Sequence, residues 1–197
     1  MKKWILLTLM LVASSAFAQL DPNPNGVGVY FDQGAMQNCL VDPPLGSPVT
    51  AYVIATNVST PGILGWQCSL RTVPAVLPGG VGVTAGCTMV DVLPDMSCTF
   101  GSRVGLNDPT IILATLTVLY MGSPIDFAIG PHSVPWLSGT PCFRAGNNFN
   151  TVLPLNPSSS VPYPGYANTF IVASINGALC PVPAEPVSWG CLKALYE

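Results

Sequence analysis

Positive charge is almost missing from this chain. Six of its 197 residues are Lys or Arg, and two of these, Lys2 and Lys3, belong to an N-terminal stretch that reads as a leader. Arg71, Arg103, Arg144 and Lys193 remain, against nine acidic residues, for a net charge of −5. Four scattered cations cannot form a stripe that tracks a phosphate backbone, which excludes nucleic acid as a partner. They cannot hold the chain on anionic lipid either. Histidine occurs once, as His132, and glutamate twice, as Glu185 and Glu197. A Ser–His–Asp or Cys–His arrangement would have to use His132, yet no GxSxG elbow is present. The setting Gly130-Pro131-His132-Ser133 reads as a turn with a solvated histidine. Glycosidase chemistry needs two facing carboxyls. The two glutamates lie in a linker and a tail, and no aspartate spacing points to a pair. No enzymatic activity and no cofactor are expected. With no CxxC and one histidine, the spacing of a zinc site is missing. No apolar run after the leader approaches the roughly 18 residues of a membrane-spanning helix.

What is present begins with Met1–Ala18, MKKWILLTLMLVASSAFA, a basic start, an apolar run and a small-x-small cleavage site. This is the pattern of a secretory signal, too short for a membrane anchor. No cysteine near the cleavage site suggests lipid attachment. The expected product is secreted, whether extracellular, on the cell surface or periplasmic. Seven cysteines follow: Cys39, Cys68, Cys87, Cys98, Cys142, Cys180 and Cys191. Export makes disulfides the default. The expected pairing is Cys39–Cys68, Cys87–Cys98 and Cys142–Cys180, with Cys191 free in the tail. Six cysteines allow 15 connectivities. Cys87–Cys98 stands out because it closes a short loop around Leu93-Pro94-Asp95.

The longest run of strand-forming residues is Thr110–Tyr120, TIILATLTVLY. Its period of two predicts a central strand with Ile112, Ala114, Leu116, Val118 and Tyr120 on the inner face. Val27–Asp32, Val49–Thr56, Ile63–Arg71, Val81–Ala85, Thr88–Val92, Cys98–Phe100, Ile125–Ile129 and Phe170–Ile175 are further candidates. Gly122-Ser123-Pro124 predicts a hairpin between the long strand and Ile125–Ile129. Trp66 alternates with core residues and reads as core. Turn clusters separate these segments, and no helical period appears before residue 187. Many short strands without helices predict an all-β antiparallel sandwich over residues 19–180. Pro131–Pro164, dense in proline, reads as a long loop or irregular edge pinned by Cys142. Residues 181–197 read as a Pro-rich linker and a short C-terminal helix, Ser188–Glu197. Its apolar stripe would dock on the sandwich or on a partner outside the chain.

GVGVYFD, Asn38-Cys39, AYVIATN, GWQCSL and the tail WGCLKALYE together resemble a group of uncharacterised secreted bacterial proteins. In layout that group is similar to cohesin-type and other immunoglobulin-like β-sandwiches. The resemblance implies fold and location. Cohesins bind dockerin modules, but no residue of their binding surface is matched here, and a sandwich hosts many unrelated functions.

Two constellations could bind something. Trp136, Tyr163 and Tyr166 lie in Pro/Gly loops, where rings can stack on sugars, fill a partner's pocket, or cap the sandwich ends. Asp21, Asn23, Asn25, Gly26 and Asp32 follow the spacing of a calcium loop. Prolines at the second and fourth positions, an Asp in the twelfth and a strand in place of a helix favour a plain turn instead. The expected function is therefore a non-catalytic secreted module acting by contact: adhesion, envelope or matrix structure, or partner binding. The alternative is a carbohydrate-binding module using the three aromatics. The partner is an extracellular protein or glycan.

Overall fold

A computed structural model describes residues 21–75, 79–91, 93–106 and 108–180. The expected leader, the expected C-terminal helix and Cys191 lie outside the described residues.

Fourteen strands follow one another among the described residues: β1 (Gly26–Tyr30), β2 (Cys39–Leu40), β3 (Pro48–Thr56), β4 (Ile63–Val73), β5 (Gly80–Val83), β6 (Cys87–Asp91) and β7 (Asp95–Val104), then β8 (Thr110–Leu119), β9 (Ile125–Gly130), β10 (Cys142–Ala145), β11 (Asn148–Pro154), β12 (Asn156–Pro157), β13 (Val161–Pro162) and β14 (Phe170–Ile175). They form two sheets. The smaller runs β12-β1-β3-β8-β5. The larger has nine strands: β11, β10, β4, β9, β14 and β13 in order, with β7 on β4, β6 on β7 and β2 on β14. Pairing is antiparallel except for β1 with β12 and β14 with β2, which are parallel. That corrects the purely antiparallel expectation.

The alternating segments bury the side chains their period assigns. Val27 and Val29 of β1, Val49, Ala51, Val53 and Ala55 of β3, Trp66, Cys68 and Leu70 of β4, and Ile125, Phe127 and Ile129 of β9 share one core between the sheets. Burying a Val, Leu, Ile or Phe side chain is worth about 1.5–3 kcal/mol, so these rows hold the sheets face to face.

Strand β8 departs from its pattern. Its register with β3 shifts between Val53 and Ile54, so Leu113 is an extra residue. Such a bulge turns two neighbours the same way. Leu113 and Ala114 both face the core, and Ile111 joins them. Ile112, expected inside, packs outside with Tyr30, Ala35 and Ile54. Nor is there a hairpin to β9. β8 belongs to the five-stranded sheet and β9 to the nine-stranded one, so residues 121–124 carry the chain across the sandwich. The Tyr120 hydroxyl accepts a hydrogen bond from Asn176 Nδ2 at 2.8 Å just beyond β14, tying the two sides together.

The disulfides need the same kind of correction. Cys39 is joined to Cys180, not to Cys68, with Cα atoms 5.1 Å apart. The parallel pairing of β2 with β14 places Cys39 opposite Ser174, beside the chain that leads to Cys180. Cys87 is joined to Cys98. Cys142 does not meet Cys180. Cys68 and Cys142 are both buried thiols. They cannot pair with each other because they occupy opposite faces: Cys68 lies in the core, whereas Cys142 stands opposite Gln67, whose side chain points outward.

Pro131–Pro164 is more ordered than a loop. It contains the edge hairpin of β10 and β11 and the short strands β12 and β13. Its prolines sit in the connections, at a strand end (Pro154) or in two-residue strands (Pro157, Pro162), where a missing N–H costs no interior ladder bond.

Candidate functional site

The outer face of the nine-stranded sheet carries the most built surface feature among the described residues. One edge of β4 is shared in tandem by two strands. Residues 63–67 pair with β10, and residues 69–73 pair with β9. The chain between β9 and β10, residues 131–141, therefore leaves the sheet and returns beside its starting point. It arches over the outer face.

Gln67 sits where β10 gives way to β9 and pins that arch. Its Nε2 donates to Val134 O at 2.9 Å, and its Oε1 accepts from the Trp136 N–H at 2.7 Å. A buried amide with both ends bonded holds a loop firmly. His132 is buried, not solvated as its turn setting suggested. Its Nδ1 accepts the Val134 N–H at 2.9 Å, which places the ring proton on Nε2. Asp95 Oδ1 accepts the Ser133 N–H at 3.3 Å from the neighbouring strand. Beneath the arch, burial pushes the Cys142 thiol above its usual range, which keeps it a neutral, unreactive group.

Trp136, so held, lies half-buried over Gly65. A Cβ at that glycine would stand 3.3 Å from the indole and 2.7 Å from the Cys98 carbonyl, so the close approach requires glycine. Arg144 of β10 stacks 4.2 Å from the centre of the Trp136 ring and 3.9 Å from that of Phe149, on β11. A guanidinium on a ring face keeps its N–H donors in plane, and no carboxylate pairs with it among the described residues. Between arch and strands runs a groove of about 850 Å³, bordered by Asp95, Ser97 and Thr99 on one side and by Trp136 and Arg144 on the other. The groove offers an aromatic face, a cation and an anion.

Tyr163 and Tyr166 are brought together, ring centres 5.2 Å apart, but in a different cluster. Arg71 stacks 4.2 Å from the Tyr166 ring. Arg71 is six residues along β4 from Gly65, about 20 Å at roughly 3.3 Å per residue. Trp136 and the two tyrosines therefore do not form one compact platform. Sequence reasoning missed Arg71, Arg144, Phe149 and Gln67. The scarcity of cations was the available signal: Arg71, Arg103 and Arg144, all the Lys or Arg between residues 21 and 180, lie in strands of this one sheet.

The calcium-loop spacing does not become a site. Strand β1 separates Asp21, Asn23 and Asn25 from Asp32 by about 20 Å. Asp21 is buried against Thr56, whose hydroxyl donates to it at 3.2 Å. Asn25 Oδ1 accepts the Ser59 N–H at 2.7 Å. Asp32 accepts the N–H groups of Gly34, Met36 and Gln37 and closes a turn.

Two stacked sheets with this pairing form a β-sandwich, similar in fold to cohesins. The sixth cohesin of Acetivibrio cellulolyticus scaffoldin B, solved in complex with a mutant Cel5 dockerin, superposes with a TM-score of 0.50 at 12% identity, covering 78% of this chain and 99% of that one. A type II cohesin domain from the cellulosome of the same organism gives 0.45 at 11% identity over 75% and 95% of the two chains. The seventh ScaB type I cohesin of Pseudobacteroides cellulosolvens gives 0.43 at 14% over 81% and 96%. No family model and no curated protein sequence matches the chain. The likeness is one of fold.

Proposed function

We propose that this chain is an exported, non-catalytic module that works by binding another protein through the outer face of its nine-stranded sheet. The observation that carries the reading is the stack of Trp136, Arg144 and Phe149 beside a groove held open by Gln67. Trp and Arg are the residue types that most often dominate binding at interfaces, and they do so when pre-organised and unpaired. The cohesin with the same fold was crystallised with a protein, a dockerin, which supports a protein in preference to a glycan as the partner class. Export rests on the leader at residues 1–18 and on the disulfides, which persist in oxidising compartments. Residues 19–180 are then the working module, and 181–197 a linker and tail.

The test is capture. Immobilised mature protein is exposed to the extracellular and surface fractions of its producing organism, and retained proteins are identified. A discrete partner should be retained by the wild type and by Thr117→Lys, on the other sheet, but not by Trp136→Ala or Arg144→Ala. Equal capture by all four would overturn the reading. So would turnover of an ester, peptide or glycoside that disappears with His132→Ala.

A further inference from the structure

A second cavity opens on the other side of Pro94, which also borders the groove under the arch. Its floor is core: Leu70 and Phe127 from the nine-stranded sheet, Leu116 and Val118 from the five-stranded one. Each of these side chains is buried, so the cavity is a cleft into the space between the sheets. Its volume is about 320 Å³, at the lower end of the roughly 300–1,000 Å³ of small-molecule sites. Tyr163, Tyr166 and Arg71 form its rim. Arg71 is the only charged residue that lines it among the described residues.

We infer that this cleft binds a small apolar molecule bearing one acid group, with the apolar body between the sheets and the acid on Arg71. Three features converge on that ligand. The floor is wholly hydrocarbon, and apolar surface left wet is recovered at about 25 cal/mol per Å² when a ligand covers it. The rim cation is already positioned: stacking on Tyr166 fixes the guanidinium, and no hydrogen bond or ion pair to a described residue consumes its donors. Planar guanidinium donors match a carboxylate or sulfonate in pairs. Finally, no carboxylate among the described residues lines the cleft, so an acid entering it meets no like charge from them, although the chain as a whole is acidic. A cationic molecule of the same shape would lose the Arg71 contact and face repulsion instead. The inference is independent of the proposed protein partner, since Trp136 and Arg144 take no part in it.

The probes are 1-naphthoate and 1-naphthylmethylammonium, equal in apolar body and opposite in charge, titrated into the mature protein by calorimetry. The wild type should bind naphthoate at least about tenfold more tightly than the ammonium, the margin of one charge-assisted contact. Arg71→Gln should remove that preference. Ala75→Trp places a large ring at an exposed position on the cleft wall and should remove binding of both probes while the melting temperature holds. Protein capture should survive both substitutions. Lack of naphthoate binding at millimolar concentration, equal affinity for the two probes, or naphthoate binding unchanged by a folded Ala75→Trp would each overturn the inference.

Discussion

The two sheets share a core but differ in what they present outward. The strands of the five-stranded sheet contain no charged residue at all: GVGVY, PVTAYVIAT, GVGV, TIILATLTVL and NP. Where that sheet faces away from the core it offers Thr50, Thr115 and Thr117, Gly80 and Gly82. The nine-stranded sheet carries Arg71, Arg103 and Arg144 and also both disulfides found among the described residues. Charge and covalent bracing thus fall on the same side. A sheet that makes an energetic contact needs groups held in place before the partner arrives, because ordering them at the moment of binding costs affinity. The uncharged sheet uses its outer face only for the small apolar cluster of Tyr30, Ala35, Ile54 and Ile112.

The largest effect should come from loosening the braced side. Cys39–Cys180 spans 141 residues of sequence, and removing a link across so long a loop costs about 2–5 kcal/mol. The double variant Cys39→Ser with Cys180→Ser should show this as a lower urea midpoint. A loss below about 1 kcal/mol would mean that strand pairing alone holds β2 on β14.

Alkaline titration separates the sheets next. Burial pushes the Tyr30 phenol of the five-stranded sheet up from 10.0 to about 12, and the Cys68 thiol of the nine-stranded sheet up from 9.0 to about 12. Both folded values are raised, so the stability each contributes is complete below its ordinary value and is lost as pH rises toward 12. Each loss is on the order of 2 kcal/mol or more at its limit. Tyr30→Phe should flatten the fall above pH 10, and Cys68→Ala the part that starts near pH 9, as read by unfolding curves at stepped pH. A fall unaltered by either substitution would place the alkaline weakness elsewhere.

Contact substitutions come third. Trp136→Ala and Arg144→Ala should each weaken the captured complex by about 2 kcal/mol and change stability by less than that. Thr117→Lys on the bare sheet should change neither by more than about 0.5 kcal/mol. A bare-sheet substitution as damaging to capture as Trp136→Ala would move the binding face to the other side of the molecule.

Several strands were legible because one of their faces is buried. In β1, β3, β4 and β9 a period of two is the only pattern that keeps Val, Ile, Leu and Phe from water, and each buries the row its sequence assigns, except that a register shift at the start of β4 puts Ile63 in the core in place of Leu64. β8 was legible as a strand, and Ala114, Leu116, Val118 and Tyr120 face the core as its period assigns; only the phase before Leu113 was lost, at Ile112. The bulge at Leu113 is a property of the pair β3–β8, and β8 alone has no mark of it. The candidate site was legible only at Trp136, as an aromatic in a Pro-rich loop. Arg144 and Gln67 looked like ordinary polar positions on alternating strands. Their meaning depends on an arch whose ends meet the sheet at residues far apart in sequence.

What local chemistry determined by itself was therefore the class: an all-β chain of low charge, with turns where Gly and Pro cluster. Those are decisions made within a few residues, by backbone preference and by the alternation of apolar side chains. What only the tertiary structure decided was partnership. It separated β8 from β9 across the sandwich, joined Cys39 to Cys180, put Cys68 and Cys142 on opposite faces of one sheet, and set Arg144 between Trp136 and Phe149. Each of these is a contact between distant segments. The choice among such contacts is made by the whole core closing at once, because a strand's own pattern states which face it must bury and leaves open against which neighbour.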